Sequence, residues 1–173
     1  GWPSLTHIQN AAIKQVANTD HNLILSAPTA SGKTEAAFIP ALNSVEDWET
    51  GLKVLYISPL KALINDQFHR ISELSEYLDI PITRWHGEVS QAQKKKVVNQ
   101  PKGVLLITPE SIEGMLVNRP GEAQHLFKGV EWIIIDELHS FLGTERGIHL
   151  QSLLQRISRF MQAPRFIAMS ATL

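Results

Sequence analysis

The 173-residue sequence predicts an α/β domain, with a mostly parallel sheet and helices on both faces. Three observations lead there. Segments such as residues 54–58 and 132–136 are near-continuous apolar runs, as expected for strands of a parallel sheet that are covered on both sides. Stretches with helical apolar spacing separate these runs, as crossover helices would. A cluster of polar or small residues follows strand after strand, and open parallel sheets gather their sites at the carboxyl ends of their strands.

Each element has its own signal. Thr6 is a candidate cap for a first helix in which Ile8, Ala12, Ile13 and Val16 recur at helical spacing, ended by residues 18–20. Residues 22–27 suggest a short buried strand, followed by a Gly-containing loop and a helix over 33–42. A second strand, 54–58, stops at Pro59, which has no backbone N–H to continue a ladder. The helix expected over 61–78 carries one apolar stripe: Leu63, Ile64, Phe68, Ile71, Leu74 and Leu78. Residues 82–85 form a weaker strand, and 91–99 a polar helix bearing Lys94, Lys95 and Lys96. The second half repeats the rhythm with a strand at 103–108, a helix at 110–117, the most apolar strand at 132–136, a helix at 145–160 and a last strand at 165–171.

Composition narrows the function classes. A chain this long buries roughly two-thirds of its unfolded surface and supports one compact core. Sixteen Lys and Arg stand against 17 Asp and Glu, so no domain-wide positive field announces a polyanion partner. Any such contact must be local. The absence of cysteine excludes disulfides and thiolate metal sites and fits a reducing compartment. With no 18-residue apolar run and no signal-like start, the expectation is a soluble, cytoplasmic chain with no membrane partner.

Two pieces carry chemistry on their own. Ala27, Pro28, Thr29, Ala30, Ser31, Gly32, Lys33 and Thr34 form a small residue, four positions, then Gly-Lys-Thr, set between a strand and a helix. Small residues let backbone N–H groups surround phosphate oxygens, and the helix adds its positive end. Lys33 would reach the β- and γ-phosphates of ATP, and Thr34 would hold Mg²⁺ through its hydroxyl. Ala27 stands where many such loops have glycine. The second piece is Asp136 with Glu137, two acids closing an apolar strand. Carboxylates avoid dry surroundings unless paired or metal-bound, and Mg²⁺ gives Asp136 its reason. Glu137 would orient and deprotonate the attacking water. An N-cap pair opening a turn is the structural alternative.

The ordered set HIQNAAI (7–13), APTASGKT (27–34), SPLKALINDQ (58–67), TPESIEGML (108–116), DELH (136–139) and SAT (170–172) resembles the first domain of a superfamily 2 helicase of the DEAD/DEAH-box kind. SPLKAL, TPES and DELHSFLGTERGIHL look most like the large helicase-related (Lhr-type) group near the Ski2-like enzymes. The resemblance implies a RecA-like P-loop NTPase fold and places further residues. It implies Gln9 as the reader of adenine. Pro59 and Lys61, Gly87, and Thr108 with Pro109 and Glu110 match motifs that grip a nucleic-acid backbone without reading its sequence. Arg146 would contact the strand or brace the site. His139, Ser170 and Thr172 would link the ATP and nucleic-acid sites. Leu138 replaces the usual Ala or Val of the acidic box, a change of packing volume. Arg84 and the three lysines 94–96 add electrostatic pull or are simply a solvated face.

The resemblance also implies a second RecA-like domain, whose motifs do not occur here. Residues 1–173 are then expected to be the first domain of a longer protein, with little turnover alone, since an arginine supplied across the site is worth about 10³–10⁵ in rate. The expected activity is ATP-dependent helicase action on single-stranded nucleic acid, DNA rather than RNA, moving 3′ to 5′. A translocase without strand separation and an ATP-gated clamp with little turnover are the alternatives. A P-loop kinase would carry an Arg-rich acceptor pocket or lid, which the sequence lacks.

Overall fold

A computed structural model describes residues 4–28 and 30–172. Among them are seven α-helices and six strands. The helices are α1 (His7–Asn18), α2 (Lys33–Ser44), α3 (Lys61–Ser75), α4 (Gln91–Asn99), α5 (Pro109–Asn118), α6 (Pro120–Phe127) and α7 (Glu145–Ser158). The strands are β1 (Leu23–Ser26), β2 (Gly51–Ile57), β3 (Ile82–Trp85), β4 (Lys102–Ile107), β5 (Trp132–Ile135) and β6 (Arg165–Ser170). They form one sheet in the order β1-β6-β5-β2-β4-β3, and every pairing is parallel.

The pleat divides the core. On β2, Val54 and Tyr56 pack with Ala12 and Val16 of α1, Phe38 of α2 and Ile64 and Ile71 of α3. Leu55 and Ile57 point the other way, into Ile112 and Met115 of α5, Leu126 of α6 and Leu150 and Leu153 of α7. Helices therefore cover both faces, as expected. Local chemistry fixes their ends. Thr6 accepts the Gln9 N–H while the Gln9 side chain accepts the Thr6 N–H, a capping box that opens α1. Hydroxyls of Ser90, Thr108 and Thr144 cap α4, α5 and α7 in the same way.

Several expectations are corrected. β1 is an edge strand with Ile24 59% exposed, so it is not buried on both sides. β2 begins three residues early at Gly51, across a bulge at Leu52 and Val54. That start is disguised because Lys53 breaks the apolar run, its ammonium held by Glu131 at 3.1 Å. The stripe of α3 ends sooner than its spacing suggests: a 3₁₀ turn follows at Glu76–Leu78, and Leu78 is exposed. Helix α6 has no counterpart in the sequence reading, though Pro120 at its first position is a start signal.

One ion-pair cluster ties α5 to α7. Glu113 accepts from Arg156 through both guanidinium branches and from His149 at 2.9 Å. The Arg156 hydrogen bonds hold the Glu113 carboxyl at about 2, well below its ordinary 4.5. The folded state thus binds fewer protons than the unfolded one, so this contribution is complete above pH 4.5 and disappears as pH falls toward 2. Glu113→Gln should cost about 1 kcal/mol at neutral pH, a figure set by partial exposure. Denaturant titrations across a pH series should show the gap to wild type closing within that acid window.

Candidate functional site

The strand order lays the polar clusters along one rim. After β1 comes the loop at 27–34, after β6 Ser170 to Thr172, after β5 Asp136 to His139, after β2 Ser58 to Lys61, after β4 Thr108 to Glu110, and after β3 Gly87. Ladder bonds run on past the strands and fix the spacing: Ala27 N–H to the Ser170 carbonyl at 3.2 Å, Asp136 N–H to that of Ile57 at 2.9 Å, and Ser58 N–H to that of Ile107 at 3.1 Å. Five clusters inferred separately, and the glycine beyond them, thus share one edge.

The loop after β1 is shaped for an anion. Gly32 opens α2 with φ +81°, a left-handed conformation that favours glycine, and among the described residues no side chain caps the helix. The first-turn amides of α2 therefore have no side-chain acceptor and face outward with the positive end of the dipole. The Ser31 hydroxyl is buried with no hydrogen-bond partner among the described residues. Lys33 lies folded on its own loop, donating to the carbonyls of Ala27 and of Pro28, the latter at 2.8 Å. Thr34 is buried in the first turn, Ala30 takes a left-handed φ of 62°, and Thr29 lies outside the described residues.

Gln9 is buried against this loop. Its Oε1 accepts the Thr6 N–H at 2.9 Å, and its Nε2 donates to the Gly32 carbonyl at 3.4 Å. The residue implied as an adenine reader is thus also the closing member of the α1 capping box, a role signalled by the Thr-x-x-Gln spacing. A cleft of about 990 Å³ opens beside Gln9 and residues 30–32. Glu35 and Arg70 line it as an ion pair joining α2 to α3, and the sequence reading missed both.

Asp136 is 7% exposed. Its Oδ2 accepts the Tyr56 hydroxyl and its Oδ1 the Glu137 N–H at 2.9 Å. Burial pushes its carboxyl up, while Lys33 is among the groups favouring the charged form. Among the described residues Asp136 has no ion-pair partner, and no group of three His, Asp or Glu could cage a metal. A lone buried carboxylate and a threonine hydroxyl on one rim fit Mg²⁺, which takes one or two carboxylates and completes its shell with phosphate and water. Glu137 holds a left-handed φ of 50°, unusual for this residue type.

The Glu137 carboxylate meets His139 Nε2 at 2.9 Å. His139 Nδ1 accepts the Ala171 N–H at 3.3 Å and lies 3.1 Å from the Ser170 hydroxyl, so the ring proton is assigned to Nε2, which donates to Glu137. Ser170 in turn donates to the Thr172 carbonyl. The structure therefore gathers Glu137, His139, Ser170 and Thr172 into one cluster, in which the imidazole links the Glu137 carboxylate to the Ala171 N–H and the Ser170 hydroxyl bonds the Thr172 carbonyl. Thr172 joins through its backbone.

Arg146 gathers the other half of the rim. It donates to the Pro59 carbonyl at 2.8 Å and to Glu110 at 2.7 Å, with its guanidinium over the Phe141 ring. These contacts tie the start of α7 to the segments that follow β2 and β4. Lys61 pairs with Glu88, next to Gly87. The Thr108 hydroxyl is spent on capping α5, bonded to Ser111 Oγ at 2.9 Å, so Thr108 presents no free hydroxyl at the rim. Pro109 is buried at the first position of that helix. Arg84 donates to Asn65 at 2.8 Å and stacks on Phe68. The three lysines are not equivalent: Lys94 is buried with its ammonium over Trp85, while Lys95 and Lys96 are exposed.

A family model described as DEAD/DEAH box helicase matches residues 6–173. The ATP-dependent helicase Lhr-Core of Methanocaldococcus jannaschii is 32% identical over 190 aligned positions, covering 99% of this chain and 22% of that protein. The Lhr helicase/uracil glycosylase of Escherichia coli is 34% identical, covering 96% of this chain and 12% of that protein. Among solved structures, the Mycobacterium smegmatis helicase Lhr bound to ssDNA and AMP-PNP superposes with a TM-score of 0.87 at 31% identity, covering 99% of this chain and 23% of that one. The DUF1998 helicase MrfA bound to DNA and AMPPNP gives 0.83 at 28% identity, covering 98% and 24%. The chain thus spans about a fifth of the length of the Lhr-Core protein. Among the described residues no helix is long and apolar enough to cross a membrane.

Gly147 sets where Arg146 stands. A Cβ there would lie 2.0 Å from the Phe141 carbonyl oxygen, a backbone atom that cannot step aside cheaply. Gly147→Ala should destabilise by about 1–3 kcal/mol in thermal unfolding. Gly121→Ala, on α6 with nothing within 4 Å, should be neutral or slightly stabilising.

Proposed function

The chain belongs to the DEAD/DEAH box helicase family, and from that premise we propose that it is the first RecA-like, ATP-binding domain of a longer ATP-dependent helicase of the Lhr type. The observation that carries the reading is the row of clusters on one rim. A phosphate-shaped loop lies at one end, backbone-gripping motifs lie at the other, and the His139 relay joins strands between them.

Each residue has a task that its geometry supports. Amides at the start of α2 hold the triphosphate, with Lys33 leaving the Ala27 and Pro28 carbonyls to meet the β- and γ-phosphates. Thr34 and Asp136 hold Mg²⁺, which when bound neutralises phosphate charge. Glu137 takes a proton from the attacking water, and its bond to His139 lets Ser170 and Thr172 respond to the state of the γ-phosphate. Gln9 trades its bond to Gly32 for the adenine edge.

Single-stranded nucleic acid is the proposed partner, DNA in preference to RNA, since the Lhr and MrfA neighbours are described with ssDNA and DNA. Pro59, Lys61, Gly87, Thr108, Pro109, Glu110 and Arg146 form the track. Gly87 supports this: its φ is ordinary and a methyl there meets nothing within 4 Å, so the fold itself does not require glycine. Close approach of a ligand backbone would. A second RecA-like domain completes the site, 3′ to 5′ movement follows from the resemblance, and the cysteine-free composition fits a cytoplasmic location.

The test is ATPase activity of the full-length parent with and without single-stranded DNA or RNA. Stimulation should vanish in Lys33→Ala and Glu137→Gln, the latter falling by about 10²–10⁴ while still binding nucleotide. Full turnover in Glu137→Gln would remove the assigned base. Strand separation by residues 1–173 alone would contradict the need for a second domain.

A further inference from the structure

Strand β2 is aliphatic at every fully buried position but one. Tyr56 is completely enclosed, its ring against Phe38 with centroids 5.6 Å apart. Phenylalanine would fill the same space. The hydroxyl is an added liability in a dry core unless a partner satisfies it, and here the partner is Asp136 Oδ2.

The register explains the meeting. Tyr56 lies opposite Ile134 in the β2–β5 pairing, so Asp136, two residues on, falls on the same face at a diagonal that an aromatic side chain can span. That face is the one packed by α2, whose first turn carries Thr34. The other carboxylate oxygen is fixed by the Glu137 N–H at 2.9 Å. Two donors on two oxygens set the plane of the carboxylate from within the protein.

We propose that Tyr56 is a positioning residue for the cation site: its hydroxyl fixes the Asp136 carboxylate so that the remaining lone pairs face Thr34 and the phosphate loop. This rests on the reading of Asp136 as the Mg²⁺ ligand. Partners behind a metal ligand commonly govern affinity as strongly as they govern fold.

The experiment titrates MgCl₂ into the full-length parent with N-methylanthraniloyl-ADP and follows nucleotide fluorescence for wild type, Tyr56→Phe and Asp136→Asn. Tyr56→Phe should raise the half-saturating Mg²⁺ concentration on the order of 10-fold, with nucleotide affinity in EDTA unchanged. A purely structural hydroxyl would lower the melting temperature and leave the Mg²⁺ midpoint alone. A folded Tyr56→Phe protein with a midpoint within about twofold of wild type, against that 10-fold expectation, overturns the proposal. If the variant does not fold, 3-fluorotyrosine at position 56 serves instead. Its ¹⁹F resonance should move when MgCl₂ joins the ADP complex, but not in an Asp136→Asn background, and a stationary resonance in the wild-type background overturns the proposal. Wild-type protein whose nucleotide affinity ignores Mg²⁺ would overturn the Asp136 reading itself, and this inference with it.

Discussion

When all strands of a sheet run the same way, their carboxyl ends must emerge together, and the order of the strands decides which loops become neighbours. Here the order β1-β6-β5-β2-β4-β3 puts the glycine-containing loop and the acidic pair on either side of the last strand, and the clusters proposed to grip a nucleic-acid backbone beyond them. Segments far apart in the chain become adjacent without any side chain having to reach across a fold boundary. The backbone ladder does the joining, through bonds such as Ala27 to Ser170 and Asp136 to Ile57. Every functional contact in the domain inherits its spacing from this arrangement.

Charge is distributed along the rim to match. The phosphate end holds the amides of the first turn of α2, Lys33 and two buried acids: Glu35 is paired with Arg70, whereas Asp136 is hydrogen-bonded but has no ion-pair partner among the described residues. Burial disfavours its ionised form, so a bound cation would be the strongest local source of compensation. At the opposite end the charges are already paired, Arg146 with Glu110 and Lys61 with Glu88. A polyanion docked there, as proposed, would compete with carboxylates for the same cations, which would temper affinity and keep the interaction salt-sensitive.

Much of this was legible in the residues. The phosphate loop announces itself because only small residues and glycine allow amides to turn inward, and Asp136 with Glu137 because acids do not end an apolar strand idly. Helix α1 was readable from Thr6 and its apolar spacing, and α4 as a polar helix over 91–99, whereas the Ser90 cap of α4 emerged only with the structure. What stayed hidden depends on partners distant in sequence. Lys53 looked like an interruption because Glu131, which neutralises it, lies 78 positions away. Ile24 looked buried because exposure follows from β1 lying at the sheet edge, which a local pattern does not encode. Tyr56 is intermediate: a lone hydroxyl within an aliphatic strand is a visible anomaly, but its acceptor becomes known only with the β2–β5 register.

Helix α3 has a mechanical consequence. Its first residue, Lys61, belongs to the end proposed to grip a nucleic-acid backbone, while Arg70, nine positions on, is anchored to Glu35 beside the loop at 27–34. At 1.5 Å per residue the anchor and the tip are about 14 Å apart. The helix is a stiff rod held by the fully buried Ile64 and Ile71 as well as by the Arg70–Glu35 pair, so it moves as a unit and does not bend between the two points. Under the proposed function, a shift of the loop beside Glu35 would be carried to Lys61 undiminished, through one rigid element and without amplification.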